Sequence, residues 1–342
     1  MKNLNDLTFE ELTDAVEALG EPKYRAGQMF KWFARGVTRL DEMTDLSAKT
    51  RDKISKSYKT ANVDINKRFD SKIDETKKYL MQLDDGNFIE TVAMTYKHGI
   101  TVCISTEVGC PMGCKFCAST IGGKIRDLTA GEILGQVATV QKDIGERISN
   151  VVLMGIGEPL DNYENVITFL KNVNDERGMN IGYRHISLST CGLVDKINEL
   201  AKENMPITLS VSLHAPDDKT RDIIMPVNRK FCVDSLIKAC KEYQSVTGRR
   251  ISFEYILINK VNDTIEHAQK LIKLIHGMLC HVNMIPANFV KESNFEKSTP
   301  DRVKNFKKEL EKAGVTVTLR RELGSDISAS CGQLRRKYNT ER

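Results

Sequence analysis

Aromatic residues and long apolar runs are scarce in this sequence. Aromatic side chains make up 6% of its 342 residues, and Trp32 is the single tryptophan. No run of about 18 apolar residues occurs, so we expect no membrane-spanning helix. The opening stretch MKNLNDLTFEEL is acidic and amphipathic, unlike a secretory signal peptide. We therefore expect a cytoplasmic globular protein.

The sequence also lacks a strong net charge and an even set of cysteines. Its formal net charge is +5, which is compatible with a polyanionic partner but does not require one. Nine cysteines are spread through a long chain, whereas secreted disulfide frameworks are short and usually even-numbered. In a reducing compartment, grouped cysteines more often indicate metal or redox chemistry.

Residues 1–62 contain three segments with helical periodicity. In the first, Thr8 and Glu11 have the spacing of a capping box. Gly20 and Gly36 follow the first and second segments, where they can end a helix. We predict a small N-terminal helical accessory domain. Its lysines and arginines fit either a packing appendage or a domain that contacts nucleic acid.

An α/β pattern follows this domain. Residues 63–96 are extended, and an Asp85-Gly86 turn between two apolar runs predicts a β-hairpin connector. Strands and helices then alternate through residues 97–342, which predicts a parallel sheet curved into a partial (β/α)6 barrel. The predicted barrel strands are residues 101–106, 150–155, 185–190, 207–213, 251–257 and 282–286. A final helix near 300–313 leads to one more extended stretch.

Three cysteines follow the first predicted barrel strand in a C-x3-C-x2-C pattern: Cys110, Cys114 and Cys117. Function in such barrels gathers where strands end. A structural zinc site closes with four ligands, and no neighbouring cysteine or histidine completes this one. A 4Fe-4S cluster held by three thiolates has one iron without a protein ligand, and that iron can bind a substrate. We therefore favour an iron–sulfur site over structural zinc.

The stretch CPMGCKFC resembles the signature of the radical S-adenosylmethionine (SAM) enzymes. This resemblance implies a partial barrel with a 4Fe-4S cluster on the three cysteines and SAM on the open iron. It further implies cleavage of SAM to a 5′-deoxyadenosyl radical. An electron donor such as flavodoxin or ferredoxin is then needed as a partner.

Other predicted strand ends resemble one family within that superfamily. The stretches MGIGEPL, SLST, VSLHAP, IPANF and SCGQL are similar to the RlmN family, and the likeness begins at the N-terminal EPKYRAGQMFKWF. The family methylates carbon 2 of adenosine in 23S ribosomal RNA, at the peptidyl-transferase centre, and in transfer RNA, 3′ of the anticodon. The resemblance therefore implies both RNAs as partners, two SAM molecules per turnover and a monomeric enzyme.

The resemblance assigns three catalytic roles. Cys331 corresponds to the cysteine that carries the methyl group, and Cys103 to the cysteine that resolves the RNA adduct through a transient disulfide. Glu90 corresponds to the acceptor of the proton lost from carbon 2. This route suits the substrate, because carbon 2 of adenine is electron-poor and cannot attack the methyl group of SAM directly.

The remaining matches are the SAM contacts of the family. Glycine at 157 lets the backbone approach the ligand, and the carboxylate at 158 can receive the ammonium group of SAM. The matching positions are Gly157, Glu158, Ser189, Ser212, Leu213, His214 and Asn288. The sequence departs from the family pattern at Ser328 and Ser330, beside Cys331, which leaves the positioning of that loop open.

RNA contacts are less visible, and three other functions stay open. The candidate RNA contacts are the N-terminal helices and the basic clusters Arg249-Arg250, Arg320-Arg321 and Arg335-Arg336-Lys337. A Cfr-like carbon-8 adenosine methyltransferase shares the cysteines, although GEPL favours carbon 2. A glycyl-radical activating enzyme does not need the pair of Cys103 and Cys331. A non-enzymatic RNA-binding metalloprotein predicts no SAM cleavage.

Overall fold

Residues 1–335 are the part of the chain that this computed structural model describes. The strands in chain order are β1 (Lys2–Asn3), β2 (Tyr58–Lys59), β3 (Val63–Asp70), β4 (Lys77–Leu83), β5 (Phe88–Tyr96), β6 (Gly99–Cys103), β7 (Glu107–Val108), β8 (Arg126–Asp127), β9 (Ile148–Leu153), β10 (Ile186–Thr190), β11 (Thr208–Ser212), β12 (Ile251–Leu257), β13 (Cys280–Pro286) and β14 (Val317–Leu319). Arg336 and Lys337, two of the candidate RNA contacts, lie outside the described residues.

Helices alternate with the later strands. The α-helices are α1 (Phe9–Ala18), α2 (Tyr24–Ala34), α3 (Ala48–Ser57), α4 (Ala130–Ile144), α5 (Tyr163–Asn174), α6 (Val194–Lys202), α7 (Asp218–Ile224), α8 (Val233–Thr247), α9 (Ile265–Leu274) and α10 (Pro300–Lys312). In the described part of the chain, no helix is long and apolar enough to span a membrane.

One open sheet of ten strands organises the described residues, in the order β14-β13-β12-β11-β10-β9-β6-β5-β4-β3. Each neighbouring pair from β6 to β14 is parallel, and each pair from β3 to β6 is antiparallel. The predicted α/β fold is therefore confirmed. All six predicted barrel strands are present, each within three residues of the predicted ends, and β14 adds a short seventh parallel strand.

The parallel strands are buried or half-buried, except for the exposed edge strand β14. All seven residues of β12 are buried, for example, because helices cover the outside of the sheet and loops cover its mouth. The carboxyl ends of the strands therefore meet along one edge of the sheet, where the loops after β6, β9, β10 and β11 carry the predicted site residues. That edge holds the candidate active site.

The N-terminal helices have a small core of their own, which includes the buried rings of Phe30 and Phe33. The predicted capping box is present, since Thr8 and Glu11 bond each other's backbone N–H at the start of α1. The Asn172 side chain in α5 donates a hydrogen bond of 2.9 Å to the carbonyl of Leu7. This contact and others like it hold the helices against the outside of the barrel.

Residues 63–96 continue the barrel sheet. The predicted hairpin is confirmed as β4 and β5, and Gly86 in its turn has a φ of +80°, where glycine is favoured. The polar strand β3 pairs with β4 and forms the edge of the sheet, and its charged residues suit an exposed edge. On the other side β5 pairs with β6, and Val92 lies opposite Cys103.

Candidate active site

The cysteine loop has a rigid base. It starts after β7, which pairs with β8 on the far side of the loop. Gly109 has a φ of +83°, and a Cβ at this position would lie 1.9 Å from the carbonyl oxygen of Gly123. The two ends of the loop approach each other so closely that only glycine fits at this position. The loop between them holds the three cysteines over the carboxyl ends of the strands.

The three thiols fit a multi-iron cluster better than a single ion. Cys110 and Cys114 are buried, Cys117 is half-buried, and all three line one cleft. In a single-ion site the ligand atoms all lie within 4.8 Å of one another, and within residues 1–335 the three sulfur atoms do not satisfy this spacing. Thiolates around one zinc ion, each about 2.3 Å from the metal, would meet it. This donor set suits the larger span of an iron–sulfur cluster.

Burial keeps these thiols protonated in the absence of a positive partner. It raises the pKa of Cys114 to about 12 and raises the pKa values of Cys110 and Cys117 as well. Thiolates are the metal-binding form, so a bound cationic centre has to supply the compensating charge. The loop thus holds three soft ligands whose deprotonation depends on the metal.

The opposite wall of the cleft contains the predicted SAM turn. Gly157 has a φ of +113°, and a Cβ there would lie 2.8 Å from the Glu107 side chain. The Glu158 carboxylate is buried and accepts hydrogen bonds from the backbone N–H groups of Leu160, at 3.1 Å, and Cys191, at 2.7 Å. Burial raises the pKa of Glu158. Both Gly157 and Glu158 line the cleft together with the three cysteines.

Three more predicted SAM positions line this cleft, and two, Leu213 and Asn288, do not. Ser189, Ser212 and His214 line it, at the ends of β10 and β11. The side chain of Leu213 is instead fully buried in the core. Its carbonyl accepts a hydrogen bond from the buried Arg221 guanidinium at 3.1 Å, so Leu213 lies behind the cleft lining rather than in it.

His214 is held as a neutral ring. Its backbone has a φ of 57°, and its Nδ1 accepts a hydrogen bond from the Ile256 N–H at 3.0 Å. Burial first, and then the charge of Arg221, lowers its pKa to about 3. The ring therefore carries its single proton on Nε2 at neutral pH. The edge of this ring contacts Phe116, between two of the loop cysteines, with centroids 5.0 Å apart.

Cys331 lies between two cavities. It lines the cleft of the cluster cysteines, and it also lines a second cavity that contains Cys103. Cys103 is buried on β6, and its pKa is raised to about 12, first by burial and then by the charge of Cys331. Both cysteines are free thiols. The chain thus brings the predicted carrier and resolving sulfurs to one site.

The loop of Cys331 is tied to the cysteine loop and to β13. The Gly332 carbonyl accepts a hydrogen bond from the Ala118 N–H at 2.7 Å. The Ser119 hydroxyl donates one to the Leu334 carbonyl at 2.8 Å. Asn288, a predicted SAM contact, lines the second cavity and donates a hydrogen bond to the Cys331 carbonyl at 2.9 Å. In this structure Asn288 therefore positions the carrier loop.

Glu90 lies next to this site but outside the lining of both cavities. Successive side chains of β5 point to opposite faces of the sheet, so Glu90 lies on the same face as Val92, which pairs with Cys103. The Glu90 carboxylate lies 3.2 Å from the Lys78 ammonium and accepts a hydrogen bond of 2.7 Å from the Arg335 N–H. The C-terminal loop thus covers Glu90, and Lys78 supplies a counter-charge.

Comparisons with known proteins match this site. A model of the radical SAM superfamily matches residues 104–275, and one described as the ribosomal RNA large subunit methyltransferase N-terminal domain matches residues 2–59. A protein from Clostridium novyi is 51% identical over 339 residues, 99% of each chain, and one from Caldanaerobacter subterraneus is 53% identical over the full length of both. Both relatives are described as probable dual-specificity RNA methyltransferase RlmN. The chain belongs to the RlmN family of radical SAM RNA methyltransferases.

Solved structures agree with this assignment. A radical SAM methyltransferase from Sphaerobacter thermophilus superposes with a TM-score of 0.93 at 41% identity, covering 98% of this chain and 99% of that one. SuiB of Streptococcus suis, bound to its precursor peptide SuiA, reaches 0.51 at 16% identity and shares the fold alone. The family confirms the predicted SAM-dependent radical methyltransferase and implies a 4Fe-4S cluster and SAM at the cleft.

Sequence reasoning missed Arg221 and Lys124 near the RlmN-family site, and it placed Arg320 among the candidate RNA contacts rather than beside the cysteines. Arg320 lines both cavities, and the charge on Cys331 is the main cause of its raised pKa. Arg221 is buried and donates to four oxygen atoms, including the carbonyl of Cys191. Lys124 lies 2.7 Å from the buried Glu107 carboxylate. The local sequence around each of these residues contains no motif, so only the tertiary contacts reveal their positions.

Proposed function

We propose that this chain methylates carbon 2 of adenosine in 23S ribosomal RNA and in transfer RNA, through a methyl group carried on Cys331. The position of Cys331, on the wall shared by the two cavities, is the observation that carries this proposal. One cavity contains the cluster cysteines and the SAM turn, and the other contains Cys103. A sulfur at this position can receive a methyl group on one side and deliver it on the other.

The 4Fe-4S cluster and SAM, when bound, supply the methyl group and a 5′-deoxyadenosyl radical, with two SAM molecules used per turnover. Cys331 takes the methyl group by displacement and then loses a hydrogen atom from it. The resulting carbon joins carbon 2 of the adenine, and Glu90 accepts the proton lost from that carbon. The Cys103 thiolate attacks the Cys331 sulfur, which forms a disulfide and breaks the bond from that sulfur to the methylene carbon. The methylene carbon takes a proton to become the methyl group, and the adduct would return its unpaired electron to the oxidised cluster as the methylated RNA is released.

The proposed SAM contacts are divided between side chains and backbone. Glu158, Ser189, Ser212 and His214 line the cleft, while Gly157 provides room for the ligand. Leu213 contributes its backbone, and Asn288 acts through the carrier loop. His214 offers an Nε2–H donor that stays neutral, so it can bond an oxygen or ring nitrogen of the ligand without adding charge.

We assign the rest of the chain by the same proposal. Residues 1–62 form the RNA-contacting helical domain, residues 63–96 connect it and carry Glu90, and residues 97–342 form the barrel with the carrier loop. The chain acts as a monomer, and flavodoxin or ferredoxin supplies the electron. RNA is the partner that the family implies, and the dual specificity ascribed to the two relatives supports a range of two RNAs.

The decisive experiment is product analysis. The protein, expressed anaerobically with iron, is incubated with unmodified 23S ribosomal RNA or transfer RNA, SAM and a reductant. Digested nucleosides are compared with 2-methyladenosine and 8-methyladenosine by mass spectrometry. 2-Methyladenosine in both RNAs is expected. 8-Methyladenosine would assign the chain to carbon-8 chemistry, and SAM cleavage without any methyladenosine would contradict the RNA substrate.

A further inference from the structure

A third cavity opens beside the one that contains Cys103 and Cys331. It is lined by Glu75, Thr95, Tyr96, Lys97, His98, Arg321 and Leu323. Tyr96, Arg321 and Leu323 also line the cavity of the two reacting cysteines. The two cavities are therefore neighbours that share a wall, and a polymer that enters one can extend into the other.

Two aromatic rings form a stacked pair in this third cavity. Tyr96 ends β5 and pairs with Gly99, the first residue of β6, so Lys97 and His98 form a two-residue turn. The rings of Tyr96 and His98 lie 5.1 Å apart at an interplanar angle of 10°. Tyr96 is half-buried and His98 is exposed. The pair therefore presents the His98 ring to solvent on a platform that the hairpin holds in place.

Cations surround the stacked pair. Lys97 and Arg321 are exposed and line the same cavity. Arg321 follows Arg320 in the chain. Both line the cavity of Cys103 and Cys331, but Arg320 extends into the cleft of the cluster cysteines, whereas Arg321 lines the third cavity. An exposed ring flanked by lysine and arginine has the composition of a site for an unpaired nucleotide, in which the base stacks and the cations bind its phosphate.

We infer that this cavity is a nucleotide subsite, which binds a residue of the RNA next to the target adenosine. The His98 ring stacks on the base, and Lys97 and Arg321 bind the phosphate. The inference rests on the proposed RNA methylation, and it assigns these residues to RNA rather than to SAM. Glu75 is the one acidic residue in the lining, and its carboxylate opposes a phosphate there.

The first test is RNA affinity. The dissociation constant of an RNA stem-loop that carries the target adenosine is measured by fluorescence anisotropy at several salt concentrations. We expect His98→Ala to weaken binding roughly 5- to 100-fold, with recovery in His98→Phe, because a base stacks on either ring. Arg321→Ala should weaken binding and reduce the slope of log affinity against log salt by about 0.7, the loss of one phosphate contact. Glu75→Gln should tighten binding.

Matched controls come from Arg184 and His185. They are exposed neighbours of the same residue types before β10, and neither lines any of the three cavities. Their alanine variants should bind RNA like the wild type. Wild-type affinity and salt slope in both His98→Ala and Arg321→Ala would overturn the inference, and so would equal losses in the controls.

A second measurement separates this inference from the proposed function. Methylation of Cys331 by SAM precedes RNA binding, so mass spectrometry of the protein should find it unchanged in the His98 and Arg321 variants. Loss of that methylation would overturn the assignment of these residues to RNA. If the wild-type protein methylates no adenosine, the proposed function fails, and the binding measurements still decide whether the subsite exists.

Discussion

The side-chain amide of Asn288 donates a hydrogen bond to the carbonyl oxygen of Cys331 at a distance of 2.9 Å. This bond connects the segment after β13 to the loop that contains Cys331. Gln333 strengthens the connection, because its side chain donates a hydrogen bond to the Phe289 carbonyl at 3.1 Å. The position of Cys331 between its two cavities therefore depends on contacts distant in sequence.

Asn288→Ala should slow methyl transfer to RNA roughly 10- to 100-fold, because small displacements of a reacting atom are costly. The KM for SAM should change less than about twofold, since Asn288 lies outside the SAM cleft. Single-turnover rates and SAM titrations measure the two effects separately. The reverse result, a raised KM for SAM with normal transfer, would instead support the direct SAM contact that the sequence suggested.

Cys331→Ala should abolish RNA methylation, because no sulfur is left to carry the methyl group. Cys103→Ala should still form the bond to RNA but cannot release it, so a protein–RNA crosslink should accumulate. Denaturing gel electrophoresis with labelled RNA detects the crosslink. Cys240→Ala is the control, because Cys240 is a fully buried core residue of α8 far from this chemistry. Normal turnover in either site variant would remove the corresponding assignment.

Glu90→Gln should lower turnover roughly 100-fold, the usual contribution of a positioned general base. Methylation of Cys331 should remain normal, because that step needs no proton from carbon 2. Lys78→Met tests the neighbouring ion pair, and it should reduce turnover less, since Glu90 also accepts the Arg335 N–H. The measurement is methylated RNA formed per methylated Cys331. Unaltered turnover in Glu90→Gln would argue against this role.

Local sequence signals predicted most of the barrel. β12 was predicted at its observed limits because its stretch ISFEYIL is rich in the β-branched and aromatic residues that favour strands. Helix α1 begins where the Thr8 capping box indicates, and the hairpin turns at Asp85-Gly86. These features depend on residues close together in the chain, so the sequence contains enough information to locate them.

The arrangement of charges in the site was not predictable in this way. Arg320 and Arg321 are identical neighbours, and nothing in the sequence shows that Arg320 lines the cleft of the cluster cysteines while Arg321 is exposed in the third cavity. The position of Cys331 beside Cys103 came from the resemblance to a family, since the two residues are far apart in the chain. Asn288 matched a motif, but its hydrogen-bond partner is a loop whose path no local pattern describes.

Lys124 is a charged residue whose removal should affect both stability and SAM binding. Its ammonium lies 2.7 Å from Glu107 and 2.6 Å from Asp161, and Glu107 in turn accepts the Glu158 N–H at 2.9 Å. Lys124→Met leaves a buried carboxylate without its counter-charge. We expect the free energy of unfolding to fall by about 2 kcal/mol. This is less than for a fully buried ion pair, because Lys124 is partly exposed. We also expect a weaker affinity for SAM.

Two further variants check this interpretation. Lys124→Arg keeps the positive charge and should retain most of the stability. The double variant Glu107→Gln with Lys124→Met removes both charges and should be more stable than Lys124→Met alone, because a buried amide needs no counter-ion. Chemical denaturation of the three variants measures these differences. A double variant as unstable as Lys124→Met would show that packing, rather than charge, explains the loss.

His214 should make folding stability depend on pH below neutrality. Its pKa falls from 6.5 in the unfolded chain to about 3 in the folded protein, so between these values the unfolded state binds more protons. Stability from the neutral ring is complete above 6.5 and is lost as the pH falls toward 3. Between pH 7.5 and 5.5 this single group should reduce the free energy of unfolding by roughly 1.4 kcal/mol.

The variant His214→Asn isolates this contribution. Asparagine tolerates the φ of 57°, and its Oδ1 can accept the Ile256 N–H in place of Nδ1. Urea unfolding at pH 7.5 and 5.5 gives the loss in the free energy of unfolding for each protein. The effect of other titrating groups cancels when the two losses are compared. The variant should lose less stability on acidification than the wild type. Equal losses would mean that the pKa of His214 is the same in the folded and the unfolded protein, and the conclusion that burial holds its ring neutral well below pH 6.5 would then fail.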